Sequence, residues 1–212
     1  MPLEIRPCED ADFADCVRIQ LAAFNTGMTR FMKPQPATDE YVSKSVENHV
    51  KAAAAEDVHY LKVVDTNLGG KMIACAKWRI NEHERTEEQI QSMLPVPGKD
   101  EEGRPAVQDF KNHLNRVRRR FMGTQPFCLL HVLVVDPEYQ RKGAGSMLVK
   151  WGCDRADKSQ LPVFLEASDA GKGLYQKYGF ETVHTEWFDL SKYDPSSTGL
   201  EANTCMIRQP KK

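Results

Sequence analysis

The chain has 212 residues, of which 41% are hydrophobic and 28% charged, and its formal net charge is −1. This length suits one domain with a well-formed core and is short for two. The balanced charge excludes a protein that binds nucleic acid or a membrane surface through its overall charge. We therefore expect a single domain over residues 1–212, with no nucleic-acid or membrane partner.

The N-terminus and the cysteines indicate the compartment. The opening stretch MPLEIRPCEDADF carries charges where a signal peptide has its apolar core, and no apolar run reaches transmembrane length. The six cysteines are scattered, without a CxxC pair or a histidine at metal-binding spacing. We expect free thiols in a reducing compartment, a cytoplasmic protein and no metal site. Monomer and homodimer both remain open.

The first eighty residues predict one strand, two helices and a hairpin. Residues 3–6 form a short strand, and the helix after it has one apolar stripe: Phe13, Cys16, Val17, Leu21 and Phe24. Thr38 is a suitable N-cap for a second helix, which carries valines at i, i+4 spacing. Two runs rich in β-formers, 59–65 and 71–80, flank the turn TNLGG and predict an antiparallel pair.

Residues 81–125 interrupt this pattern, and we interpret them as an insertion. Acidic residues dominate 82–102, whereas a helical stripe with Pro105 in its first turn follows and ends in the basic run RVRRR. The basic run could be a nucleic-acid patch, but no interleaved aromatic residues support that interpretation. We expect a solvated helix face that pairs with the acidic arm.

The second half alternates again between strands and helices. The predicted elements are a strand over 127–135, a glycine-containing turn, a helix over 146–157, a strand over 161–168, a short helix over 171–178, and an antiparallel pair over 180–190 and 203–208. Parallel steps in the middle and antiparallel ones at the ends predict a mixed sheet flanked by helices.

The turn QRKGAG (140–145) lies between a buried strand and a helix. It lacks the GxxxxGK[ST] of a Walker loop and the full GxGxxG of a dinucleotide fingerprint. The first N–H groups of the helix have no intrahelical partner, and its dipole favours an anion there. Glycines at 143 and 145 would let a phosphate approach the backbone. An ordinary strand-to-helix turn with incidental cations is the alternative.

At this point the sequence resembles a known family. The stretch VVDPEYQRKGAGSMLVKW is similar to the pyrophosphate-loop motif of the GNAT superfamily of acyl-CoA N-acyltransferases, and LYQKYGF (174–180) resembles its second hallmark. The resemblance implies an α/β (α+β) GNAT fold, with a mixed, mostly antiparallel sheet that is splayed at its centre. Only the insertion departs from the family's order of elements between about residues 3 and 208.

The resemblance also implies where acetyl-CoA would bind. The strand before the turn would pair through its backbone with the cofactor, and the Leu133 N–H would polarise the acetyl carbonyl. The turn would hold the pyrophosphate. The cofactor-binding residues implied are Leu133, Val134, Val135, Gln140, Arg141, Lys142, Gly143, Ala144, Gly145 and Ser146.

Three side chains are candidates for the chemistry. Tyr175 occupies the general-acid position of the second hallmark, and a phenol stays protonated at neutral pH; it could also simply fill the core. His131 interrupts an apolar strand and, by alternation, would share a face with Leu129, Leu133 and Val135. Arylalkylamine-type members carry a histidine at the matching point, so a base and a satisfied core histidine both remain open.

Glu166 is the third candidate. Burial against Phe164 would raise its pKa and make it a base near neutrality, although it could instead be a solvated strand end or bind a substrate ammonium. The acid that serves as base in histone-acetylating members would fall on Leu129, which closes that route.

The sequence thus predicts an enzyme that moves an acetyl group from acetyl-CoA to a primary amine of a small molecule, without a metal. A protein N-terminal or lysine acetyltransferase and a non-catalytic acyl-CoA-binding module remain as alternatives.

Overall fold

The computed structural model describes residues 2–212, apart from the side chain of Asp100. Seven strands form one sheet in the order β1-β2-β3-β4-β5-β7-β6. The strands are β1 (Leu3–Pro7), β2 (Val58–Asp65), β3 (Lys71–Asn81), β4 (Phe127–Val135), β5 (Val163–Ser168), β6 (Glu181–Asp189) and β7 (Leu200–Arg208). Every neighbouring pair is antiparallel except β4 and β5, which are parallel.

Helices cover both faces of the sheet. They are α1 (Phe13–Ala23), α2 (Asp39–Ala53), α3 (Glu87–Met93), α4 (Pro105–Phe121), α5 (Ala144–Lys158) and α6 (Asp169–Lys177). Alternation along β4 separates the faces, because Cys128 and Leu130 pack with α5 whereas Phe127 and Leu129 pack with α4. The helix α6 lies on the α5 face, and α1 and α2 lie on the α4 face. Within residues 2–212, no helix has the length and apolarity needed to cross a bilayer.

The predicted order of elements is confirmed. β4 coincides with the predicted strand, the other strands and helices agree to within about three residues, and α4 has Pro105 in its first turn. Thr38 caps α2 by accepting a hydrogen bond from the Tyr41 N–H at 3.2 Å. The short helix α3 was not predicted, because its seven residues are too few for a clear period.

The centre of the sheet is splayed. β4 and β5 are in register only from Cys128–Val163 to Leu130–Leu165. Beyond that point, β4 stays paired with β3 as far as Val135, and β5 stays paired with β7 as far as Ser168. Each strand therefore keeps its outer neighbour while a gap opens between the two, which confirms the sheet architecture predicted from the sequence.

The solvated face predicted for the basic run in α4 is only partly correct. Arg119 does pair with Glu87 of the acidic arm at 3.1 Å, and both side chains are largely exposed. Arg118 is instead buried and bonds Glu166 of β5. The prediction was wrong for Arg118 because the buried stripe of α4 includes His113, Val117 and Arg118, and a carboxylate on the sheet neutralises the buried charge.

We expect Gly152→Ala to destabilise the fold. A Cβ at Gly152 would lie 2.1 Å from the ring of Trp78, which is fully buried under α5. Such overpacking costs about 1–3 kcal/mol and outweighs the helix propensity that alanine gains. Urea unfolding measures the change. Gly173→Ala in α6 is the matched control, since a Cβ there meets nothing within 4 Å, and it should stabilise by up to about 1 kcal/mol. Equal effects of the two substitutions would contradict the packing argument.

Candidate functional site

A β-bulge in β4 sets the orientation of His131. Lys77 of β3 is in register with Val132 and Trp78 with Leu130, which leaves His131 without a partner residue. After the bulge, Val132 and Val134 pack with the α1 cluster, whereas Leu133 and Val135 pack on the α5 face. His131 lies beside Leu129 and Arg118. The prediction that His131 shares a face with Leu133 and Val135 is therefore wrong, because the extra residue reverses the alternation.

The backbone of β4 presents unpaired groups to the gap. The Asp136 N–H donates to the Ile73 carbonyl of β3 at 2.8 Å. Since successive residues of a strand direct their N–H and C=O groups to opposite sides, Val134 faces β3 and Leu133 and Val135 face the gap. Two of the three strand residues implied by the resemblance thus have backbone groups available to a ligand, while the N–H of Val134 belongs to the sheet.

The glycine turn leads directly into the first turn of α5. Gly143 is the N-cap residue with φ of +95°, a conformation that glycine adopts without strain. Gly145 serves another purpose, because a Cβ there would lie 3.3 Å from Leu174 and 3.6 Å from Val135. The helix can therefore approach the end of β4 and the start of α6 closely. The N–H groups of this first turn lack intrahelical acceptors, and the turn preceding them is exposed.

Cations surround this turn. Arg141 and Lys142 are exposed, and the Lys142 ammonium lies 4.8 Å from the centre of the Tyr139 ring. Lys71 of β3 lies over the same ring at 4.6 Å and donates to the Tyr139 hydroxyl at 3.0 Å. Lys71 was missed in the sequence, since only the fold brings β3 to the turn. Free N–H groups with three nearby cations suit a pyrophosphate.

Tyr175 is buried on the α5 face, in the same apolar cluster as Leu133 and Val135. Its ring meets Phe180 edge-on at 5.8 Å between centroids. Burial raises the pKa of Tyr175 to about 12, so the hydroxyl stays protonated at neutral pH. Tyr178, one turn later, donates to the Ser146 carbonyl at 3.0 Å and ties α6 to the first turn of α5.

Glu166 is held by Arg118 through two hydrogen bonds. Arg118 Nε donates to Glu166 Oε1 at 2.7 Å and its Nη2 donates to Oε2 at 3.0 Å. The two side chains are only 8% and 5% exposed. Phe164 lies on the same face of β5, as the sequence predicted, but the arginine partner was missed because it comes from the insertion. With both oxygens engaged, the carboxylate suits positioning better than proton abstraction.

His131 is surrounded by cations. Its Nε2 is buried and has no hydrogen-bond partner among the described residues. Burial, together with the charges of Arg118, Lys77 and Arg79, lowers the pKa of His131 well below its usual value. The pKa of Lys77 is itself lowered to about 8, by burial first and then by Arg79 and Arg118. The imidazole is therefore neutral at pH 7 and has a free lone pair or N–H to offer.

An apolar pocket adjoins His131 on the α4 face. Helix α3 and the strand β4 supply most of its walls, and Arg118 and His131 are its polar members. The remaining lining residues are Ile90, Met93, Leu94, Met122, Gly123, Phe127 and Leu129. The insertion thus covers the side of the gap where His131 lies. Leu129, the position where the resemblance places the acid of histone-acetylating members, is buried and lines this pocket.

Comparison with known proteins agrees with this geometry. Residues 110–182, which contain β4, the glycine turn, β5 and α6, match the family model of the acetyltransferase (GNAT) domain. A probable acyltransferase, SID5, of Ajellomyces capsulatus is 45% identical over 44 residues, which are 21% of this chain and 32% of that protein. The matched region spans about a third of the length of each curated relative.

Solved structures share the fold over the whole chain. Arylalkylamine N-acetyltransferase 2 of Aedes aegypti superimposes with a TM-score of 0.69 at 11% identity and covers 100% of both chains. The polyamine N-acetyltransferase of Drosophila melanogaster has a TM-score of 0.66 at 14% identity and covers 98% of this chain and 99% of its own. Residues 110–182 thus resemble the acetyltransferase (GNAT) domain, and the whole chain shares the fold of these acetyltransferases.

Proposed function

We propose that this protein transfers the acetyl group of acetyl-CoA to a primary amine of a small molecule. The observation that carries the proposal is the open gap of the sheet, where Leu133 and Val135 direct unpaired backbone groups towards the place that β5 has left. An extended pantetheine arm can use these groups as a strand would. The anion-binding turn lies at the end of the same strand.

The turn and its neighbours would hold the pyrophosphate. The N–H groups of Gly143, Ala144, Gly145 and Ser146 are the donors, and Gln140, Arg141 and Lys142 complete the loop implied by the resemblance. Lys71 adds a third cation from β3. Val134 would stabilise the strand from the sheet side and make no hydrogen bond to the cofactor.

Acetyl transfer needs a neutral amine, a stabilised oxyanion and a proton for the departing thiolate. The Leu133 N–H faces the gap and would stabilise the oxyanion. Tyr175, kept protonated by its raised pKa, would donate to the thiolate from the α5 face. His131 would accept the amine proton from the α4 face, in line with its neutral state. Glu166 would fix Arg118 beside it.

The pocket beside His131 indicates the kind of amine. Its walls are apolar, and Lys77, Arg79 and Arg118 repel a positive charge. These cations lower the pKa of a bound amine and so help it to lose its proton. The relatives in fold include enzymes named for arylalkylamines and for polyamines. The repulsion disfavours a polyamine, and since the pocket itself has only about 10 Å³ of free space, room for one water, the apolar body of the amine would lie outside it.

Acetyl-CoA should stabilise the wild-type protein and release thiol when a small primary amine is added. At about 100 times its Kd, the ligand adds roughly 2.7 kcal/mol to the free energy of unfolding. Gly143→Val should abolish this shift, because the side chain enters the loop and φ of +95° is strained for a β-branched residue.

Gly199→Val is the matched control, since its φ is +100° and it lies in the β6–β7 loop, away from the turn. Thermal shift and a thiol-reactive dye measure the two responses. A wild type without a shift would contradict the proposal, whereas a shift without thiol release for any amine would favour the non-catalytic module.

Tyr175→Phe isolates the acid step. The ring and its packing are kept, so the Kd for CoA should change little, while kcat falls on the order of 10²-fold because the thiolate leaves without a proton. Tyr178→Phe is the control and should keep kcat. Since the pKa of Tyr175 is raised to about 12, the wild-type kcat should not fall as the pH passes 10. Full kcat in Tyr175→Phe, with chemistry rate-limiting, would make Tyr175 a packing residue.

His131→Gln should lower kcat/KM on the order of 10²–10⁴-fold at neutral pH if His131 is the base. Its lowered pKa means that the base form persists below pH 6.5, so the acid limb of the wild-type profile should lie below that value. Glu166→Gln should have a smaller effect on kcat, because the carboxylate acts through Arg118. The pH–rate profiles of both variants measure these effects. If Glu166→Gln lowered kcat/KM more than His131→Gln does, the roles of the two residues would be reversed.

A further inference from the structure

Two histidines and a glutamate converge on the α4 face, at the β6 edge of the sheet. His113 belongs to α4, and His184 and Glu186 belong to β6. One ligand atom from each lies within 4.8 Å of the others. His184 Nε2 is 3.4 Å from Glu186 Oε2, and His113 Nδ1 is 3.6 Å from the same oxygen. The three residues take no part in the proposed acetyl transfer.

His113 supplies the decisive observation. Its side chain is 1% exposed, and its Nε2 lies 2.9 Å from Asn203 Oδ1, to which it can donate. In the neutral ring, that bond leaves Nδ1 unprotonated, with a lone pair. Nδ1 is buried and has no hydrogen-bond partner among the described residues. A buried lone pair that faces a carboxylate oxygen is repelled by it unless a cation lies between them.

We infer that His113 Nδ1, His184 Nε2 and Glu186 Oε2 form a binding site for a divalent transition-metal ion of the zinc class. Two imidazoles and a carboxylate are ligands that zinc accepts, and three protein ligands leave a fourth position for water. Asn203 would act as the outer partner that orients a ligating histidine through its second nitrogen. Phe188, edge-on to His113 at 5.5 Å, contributes an apolar shell.

The ion would tie the insertion to the edge of the sheet. It would join α4 to β6, whereas the Arg118–Glu166 bridge joins the same helix to β5. Arg116 also contacts Glu186 Oε2 at 3.2 Å and would compete with a metal for it, but its side chain is 60% exposed and free to move away. No metal was expected from the sequence, because His113 is far in the chain from His184 and Glu186.

Titration of the metal-free protein with Zn²⁺ against a chromophoric chelator tests the inference. We expect one ion per chain, with an affinity that falls by more than about 10²-fold in Glu186→Gln and in His184→Gln. Asn203→Ala should cost about 10–100-fold, the usual effect of losing an outer partner. Arg116→Ala should bind more tightly, since a competing cation is gone. Co²⁺ bound in place of zinc should absorb in the visible without a thiolate charge-transfer band.

His83→Gln is the matched control, since His83 is exposed and lies outside the cluster, and it should bind zinc as the wild type does. His113→Ala removes a buried ring and can fail to fold, so the conclusion rests on the two β6 variants. Affinity unchanged in both β6 variants, or the absence of stoichiometric binding, would overturn the site. A thiolate band would overturn it as well, because it would assign the ion to a cysteine such as Cys205.

Discussion

The architecture depends on which strands β4 and β5 pair with at the centre of the sheet. β4 remains with β3 and β5 remains with β7, so the two strands cannot also remain with each other beyond Leu130 and Leu165. Backbone groups left in the gap need a hydrogen-bond partner, because an unpaired polar group away from water is costly. The pantetheine arm that we propose would supply these partners. The bulge at His131 contributes as well, since it turns the backbone N–H and C=O groups of Leu133 and Val135 towards the gap.

The Arg118–Glu166 bridge links the insertion to this centre. Burying two charges is costly, and the attraction between them compensates only when the geometry is good, as it is in a two-bond contact. The pair therefore holds α4 at a fixed distance from β5, and Arg118 itself lines the pocket beside His131. Burial first, and then the charges of Arg118, Lys77 and Arg79, lower the pKa of His131 and keep its imidazole neutral. The insertion and the sheet together determine the electrostatics of the acceptor side.

The sequence predicted what depends on local pattern and motif. Periodicity predicted the nine residues of β4, and capping preferences predicted the role of Thr38. The two hallmarks of the family predicted the turn at Gly143 and implied the central splay. The failures share a physical cause, which is that each depends on contacts between distant segments. The bulge at His131 is fixed by the register against β3, the burial of Arg118 by a carboxylate on β5, and the third cation at the turn by Lys71 of another strand. The alternation of side chains along a single strand does not show where a bulge inserts an extra residue.

Tyr175 and His131 approach the gap from opposite faces of the sheet, and their environments explain why. The α5 face is apolar, so burial alone raises the pKa of the phenol and preserves its proton. On the α4 face, burial and then the neighbouring cations lower the pKa of His131 and favour its unprotonated form. Because the two environments move the two pKa values far apart, the phenol keeps its proton and the imidazole stays unprotonated at one pH. In the acetyl transfer that we propose, a thioester in the gap would lie between the two, with the amine arriving on the His131 side and the thiolate leaving on the Tyr175 side.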